Sequence, residues 1–250
     1  MSKKIRLHQF LSKTGMFNNK GRVFDAIYDG LVTVNDKVIT NKDYQFKLSA
    51  TVEYDFKELK MIEDNIYIVL NKPLGYLCSR LTKSEKEADK RSVYELLNLD
   101  DIKKNSLSCV GRLDENSAGL LIMTNDGKLN INITNPNKKI EKTYYVVLKN
   151  NIFSEDIQKL EEGVFITLEE NDVETLYQTK PAKIKRLKDN NKIEISISEG
   201  KKRQVRRMIE SIGNKILFLE RIRINNLTLS IPAGKYEMIS KEEIEKKLFL

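Results

Sequence analysis

Between Lys192 and Ile212 the hydrophobic period of the chain changes from two to about 3.6. Ile193, Ile195 and Ile197 alternate with Glu194, Ser196 and Ser198, so a strand here presents one apolar and one polar face. Beyond Gly200, Val205, Met208, Ile209 and Ile212 recur at i, i+3, i+4 and i+7, the stripe of a helix lying on a core, and Gly213 closes it. Residues 142–149 alternate as well. Residues 66–70 and 120–124 are continuous apolar runs, the first stopped at Asn71-Lys72-Pro73 and the second at the turn Asn125-Asp126-Gly127. The charged stretch 80–105 holds one helical segment around Val93, Leu96 and Leu97, and Ser240 with Glu243 spaces a capping box before a terminal amphipathic helix. Strands and helices follow one another without strict alternation. The predicted class is α+β, with a mostly antiparallel mixed sheet flanked by helices and loops.

Residues 1–58 read as a separate small α/β unit. Leu7, Phe10 and Leu11 make a short amphipathic helix, a second runs over 23–28, and Gly30 ends it. Two short strands around Asn35-Asp36-Lys37 fit a hairpin. Residues 54–65 are polar and read as a linker, which leaves 62–250 as a second, larger domain.

A single histidine, His8, removes Ser-His-Asp and Cys-His hydrolases, two-histidine ribonucleases and His-rich metal sites from consideration. It falls in the first helical pattern and reads as a surface or RNA-facing residue. Acid–base work must come from Asp, Glu, Lys, Tyr or Cys. The formal net charge of +8 over 250 residues suits a polyanionic partner. No run approaches the roughly 18 apolar residues of a membrane span, and the lysines at the N-terminus have no apolar segment behind them to make a secretory signal. Cys78 and Cys109 form no C-x-x-C pair and read as small core residues in a reduced, cytoplasmic protein.

Two glycines bracket a short polar loop in Val110-Gly111-Arg112-Leu113-Asp114-Glu115-Asn116-Ser117-Ala118-Gly119-Leu120-Leu121. Asp114 sits where a strand gives way to a loop, a usual position for a catalytic group held by a rigid scaffold. Alone, the string more readily describes a loop in which Asp114 caps a turn with Arg112 as its surface partner, since Asp in loops is ordinary.

The longer string GRLDENSAGLLIMTNDG resembles the signature of RNA pseudouridine synthases, where Gly-Arg-Leu-Asp carries the essential aspartate. Asn71-Lys72-Pro73-Leu74-Gly75-Tyr76, Glu141-Lys142-Thr143-Tyr144 and the segment from Glu199 to Met208 resemble three further motifs of that family, in the family's order. The N-terminal unit is similar to a small RNA-binding domain first known from a ribosomal small-subunit protein, through Ile5-Arg6-Leu7, Arg22 and residues 30–35.

This resemblance implies an isomerase that breaks the C1′–N1 bond of a uridine, turns the base and joins C5 to C1′. Such chemistry adds nothing and oxidises nothing, so neither cofactor nor metal is implied. Asp114 would stabilise or attack C1′. Tyr144 would pack on the flipped uracil, and Lys201 would pair with Asp114, although many relatives carry Arg at that position. Tyr145 reads as a core residue. Arg6, Arg22, Lys72, Arg112, Arg203, Arg206 and Arg207 would contact RNA; relatives also carry a His where Arg203 stands. The implied partner is ribosomal RNA, within a subunit or assembly intermediate, met by a monomer in the cytoplasm. Residues 92–97 and the Glu-Lys-Thr-Tyr form favour the small-subunit (16S) branch. The alternatives are a large-subunit (23S) enzyme and a non-catalytic assembly factor on the same fold. A nuclease is disfavoured, since the sequence offers neither paired histidines nor a carboxylate metal cluster.

Overall fold

In the computed structural model, which describes residues 4–170 and 173–250, the spacing of Leu7, Phe10 and Leu11 produces the helix Leu7–Lys13, with all three side chains buried. Residues 1–3 of the expected N-terminal unit lie outside the described residues. Asn19 caps a second helix, Lys20–Tyr28, by accepting from the Arg22 amide at 2.9 Å. Strands Val32–Val34 and Lys37–Val38 form the expected hairpin, whose turn residues Asn35 and Asp36 both take positive φ. These elements bury Leu7, Phe10, Leu11, Val23, Ile27, Val32, Phe46 and Val52 in a core drawn from the first 61 residues.

The segment expected to be a linker departs from that reading. Val52–Tyr54 pairs with Lys57–Glu58 around Asp55 and Phe56, which both have positive φ without being glycine. No Gly marks this turn, so it carried no sequence signal. Further along, the Ile62 amide donates to the Lys13 carbonyl at 3.1 Å, fastening the outgoing chain to the first helix.

The large sheet runs in the order Lys183–Arg186, Lys192–Ile197, Lys142–Leu148, Ile216–Ile224, Ala118–Thr124, Tyr67–Lys72 and Tyr236–Met238. Ser108–Val110 and Leu227–Thr228 add to it at the side. Its pairings are antiparallel except one, Ala118–Thr124 against Ile216–Ile224, where Ala118 aligns with Glu220 and Gly119 with Arg221. The mixed α+β class expected from the sequence is the class observed.

Both sheet faces are covered, which is why residues 120–123 are apolar without alternation. On one face Ile68, Leu70, Leu121, Met123, Val146 and Ile195 meet Leu160 of the helix Ser154–Glu162 and Val205, Met208 and Ile209 of the helix Gln204–Ser211. On the other, Tyr67, Val69, Leu120 and Ile122 meet the helices Gly127–Thr134 and Lys241–Phe249. Asp126, expected in a turn, caps the first of these by accepting from the Lys128 and Leu129 amides. Among the described residues no helix is long and apolar enough to cross a membrane.

Candidate active site

Four strands bring one row of residues to the face that carries the helix Gln204–Ser211. Lys72 aligns with Gly119, Gly119 with Arg221, and Arg221 with Tyr144. Gly119 makes this row possible. Its φ is +105°, and a Cβ there would stand 2.3 Å from the Arg221 carbonyl oxygen, so only glycine lets the two strands close.

Above the row lies the loop of Asp114, held by several groups at once. Lys72, at 0% exposure, donates from Nζ to the carbonyls of Ser117 (2.7 Å), Pro73 (3.1 Å) and Glu115 (3.3 Å). The Gly75 amide also reaches the Glu115 carbonyl at 2.9 Å, and Lys90 pairs with the Glu115 carboxylate at 2.7 Å. From the helix, Arg206 Nη2 donates to the Asn116 carbonyl at 2.6 Å and the Ser117 hydroxyl at 3.2 Å. Within the loop the Ser117 amide returns to the Asp114 carbonyl at 3.0 Å. A loop tied from the sheet, the helix and itself presents Asp114 half-buried in a fixed position. Among the described residues its carboxylate oxygens accept no hydrogen bond and make no ion pair within 4.0 Å.

Cations crowd this face. Burial pushes the Lys72 ammonium below the usual lysine value, while the charges of Cys78, Asp114 and Glu115 act the other way. Burial and the charge of Arg203 lower Arg206, with Asp114 and Glu210 opposing them. Lys142, beside Tyr144 on the same strand face, is pushed down to about 8 by burial first and by the Arg221 charge second. Arg221 itself is 2% exposed, and its Nε donates to the Leu120 carbonyl at 2.7 Å.

Three expected roles are placed differently. Lys201 does not meet Asp114; its ammonium stands 4.6 Å from the centre of the Tyr177 ring, and Arg206 reaches the loop instead. The reason lies at the helix entrance. Buried Glu199 accepts from the Tyr177 hydroxyl (2.7 Å), the Lys180 amide (3.0 Å) and the Gln204 amide side chain, which starts the helix at Gln204 and turns Arg206 inward. Lys72, expected on RNA, is fully enclosed, and the Arg206 guanidinium is committed to the loop. Arg6, Arg22, Arg112 and Arg203 are exposed as an RNA-contacting role requires, and Arg207 is half-buried with Nη1 enclosed and unpartnered. Tyr144 is buried in the row, whereas Tyr145 turns to the other face, against Phe218. His8 packs edge-on to Phe24, with Nδ1 2.9 Å from the Lys42 carbonyl. Cys78 and Cys109 are free thiols against the core, as read, and the Leu113 amide donates to Cys78 Sγ at 3.4 Å. Sequence reasoning passed over Arg221, Lys142 as a charged group, and Glu199. Among the described residues no cluster of three His, Cys, Asp or Glu could hold a metal.

Residues 66–211 match the family described as RNA pseudouridylate synthase. The chain is 36% identical to the ribosomal small subunit pseudouridine synthase A of Vibrio vulnificus, over 96% of this chain and 98% of that protein. It is 31% identical to the protein of the same name from Haemophilus influenzae, over 97% and 99%. A crystal structure of a pseudouridylate synthase superposes with a TM-score of 0.67 at 28% identity, covering 98% of this chain and all of the other.

Proposed function

This chain belongs to the RNA pseudouridylate synthase family, an isomerase family, and from that premise we propose that it converts one uridine of small-subunit (16S) ribosomal RNA to pseudouridine, with Asp114 as the catalytic carboxylate. The observation that carries the assignment of Asp114 is its loop: contacts from Lys72, Gly75, Lys90 and Arg206 hold it while the Asp114 carboxylate itself stays unengaged among the described residues. A group that only capped a turn would spend its oxygens on local amides. An ionised Asp114 beside a cationic face offsets positive charge at C1′, or bonds to it, as the bond to N1 breaks. One carboxylate suffices, because the leaving uracil stays in place and is joined again. Tyr144, in the row beneath, offers a ring face to the everted base.

Residues 1–58 act in this reading as the RNA-docking unit and 62–250 as the catalytic domain. Arg6 and Arg22 are exposed on the former, and Lys20 and Lys42 lie 5.3 and 5.7 Å from the Phe24 ring. These cations suit phosphate contacts that hold a folded RNA while one nucleotide leaves its stack, at about a few kcal/mol. The small-subunit target is supported by the names of the full-length relatives.

Pseudouridine mapping in small- and large-subunit RNA decides the matter, comparing cells that carry the wild-type protein, no protein, or Asp114→Asn. One small-subunit site should be lost in both altered cells. A site lost only from large-subunit RNA refutes the target, and a site kept by Asp114→Asn refutes the role of Asp114.

A further inference from the structure

Arg221, 2% exposed, is a buried charge on the active-site face whose hydrogen-bonding capacity is not met among the described residues. Its Nε is satisfied by Leu120, but Nη2 is buried and has no acceptor among the described residues. Among the described residues no carboxylate lies within 4.0 Å of its guanidinium. Enclosing a guanidinium is costly unless its donors are met, and a fold built around such a group leaves a donor free where a ligand will supply the acceptor. Of its neighbours, Lys72 is engaged with three carbonyls, Lys142 donates to the Ile140 carbonyl at 3.2 Å, and half-buried Arg206 leaves Nε unpartnered but commits Nη2 to the Asp114 loop. Arg221 pairs with Tyr144 across the two strands, so the guanidinium and the tyrosine ring share one sheet face, and a pyrimidine on Tyr144 would lie on the side of the sheet that carries Nη2.

We propose that Arg221 is a catalytic residue whose free Nη2 donates to a carbonyl oxygen of the target uracil and stabilises the negative charge the ring acquires when the C1′–N1 bond breaks. The proposal rests on the reading that Asp114 acts on a uridine. When C1′–N1 opens, its electron pair passes to the ring and spreads over N1, O2 and O4. Asp114 meets the positive charge left on C1′. The ring turns, C5 forms the new bond to C1′, C5 gives up its proton, and N1 takes one. Atoms and charge balance, and no oxidant or reductant is consumed. The division of labour is spatial: the carboxylate on the loop serves the sugar, and the guanidinium on the sheet serves the base. A donor placed before the charge develops acts most strongly in a site closed to water.

The test compares single-turnover cleavage of C1′–N1 in the target RNA carrying uridine or 5-fluorouridine at the modified position, using the full chain. Fluorine withdraws charge from the departing ring, so less is asked of a stabilising donor. Arg221→Met should lose about 100-fold on uridine and clearly less on 5-fluorouridine, with RNA affinity unchanged. Equal losses on both substrates would mark Arg221 as a structural group and overturn the proposal. So would weakened RNA binding with a normal turnover rate, which describes a phosphate clamp. Should Arg221→Met not fold, Arg221→Lys decides by the same ratio, since its ammonium keeps the bond to Leu120 without a second fixed donor. Asp114→Asn, run alongside, separates the two claims. If it retains activity the reading of the site fails; if it is inactive while folded Arg221 variants match wild type on uridine, only the role of Arg221 fails.

Discussion

The ammonium of Lys72 lies 2.7 Å from the Ser117 carbonyl, so a fully buried charge on the sheet fastens the loop that presents Asp114. Two effects compete in Lys72→Met. Removing the cation leaves loop carbonyls short of a donor, but it also relieves the desolvation cost of an enclosed ammonium. Stability should therefore change by less than about 2 kcal/mol, while turnover falls roughly 100-fold as the loop loses its fixed position. Urea unfolding and a turnover assay read the two quantities separately. A variant with full activity would show that the loop holds its place without Lys72.

Gly119→Ala should be far more damaging than Gly111→Ala. Both glycines have positive φ, but a Cβ at 119 meets the Arg221 backbone whereas at 111 nothing lies within 4 Å. The expected losses are about 3 kcal/mol or more at 119, against about 1 kcal/mol of backbone strain at 111. Equal urea midpoints for the two variants would mean that the parallel strands part easily at this point.

Exposed and engaged arginines should differ in how they respond to salt. Replacing Arg6, Arg22, Arg112 or Arg203 by Gln should each reduce the salt dependence of RNA binding by about 0.7 to 0.9 in log–log slope, provided each meets one phosphate. Arg206→Gln should leave that slope nearly unchanged and instead lower the single-turnover rate, since its guanidinium serves the loop. A full unit of slope lost in Arg206→Gln would place it on RNA.

Lys142 gives the protein a pH signature on the alkaline side. Its ammonium titrates at about 8 in the folded chain, against an ordinary value of 10.5. Between these values the unfolded chain binds more protons, so stability rises with pH across the window. Lys72, also lowered, contributes with the same sign. Lys142→Met should be less sensitive than wild type when urea midpoints are compared at about pH 7.5 and about pH 10. An identical rise in both proteins would show that burial does not act on Lys142.

What the sequence disclosed follows from how each residue is used. Ile193, Ile195 and Ile197 alternate because the strand lies between a core and a more polar side, and the stripe from Val205 to Ile209 is legible because its helix covers one face only. Asp114 was singled out because two glycines frame its loop and the longer string resembles a family signature. Arg221 was hidden because the run Glu220-Arg221-Ile222-Arg223-Ile224 suggests charges outward and isoleucines inward, whereas Arg221 shares the core face with Leu219. Lys72 was misjudged for a related reason: a lysine before a proline reads as a solvent-facing strand end, and two of the three carbonyls that accept from it come from more than 40 residues away. Lys201 stands over the Tyr177 ring and does not meet Asp114; it lies ahead of the left-handed turn at Arg203, with φ +56°, that opens the helix Gln204–Ser211. Local pattern carries no record of where a turn aims its flanks.

The parallel contact between Gly119 and Arg221 joins segments 101 or 102 positions apart, so the order in which the chain acquires competence is fixed. A growing polypeptide that has released the Asp114 loop but not the strand Ile216–Ile224 has an aspartate without its cationic floor. In the proposed reading such an immature chain meets RNA through its first residues before it can alter a base, and chemistry waits until synthesis is well into the last third of the sequence.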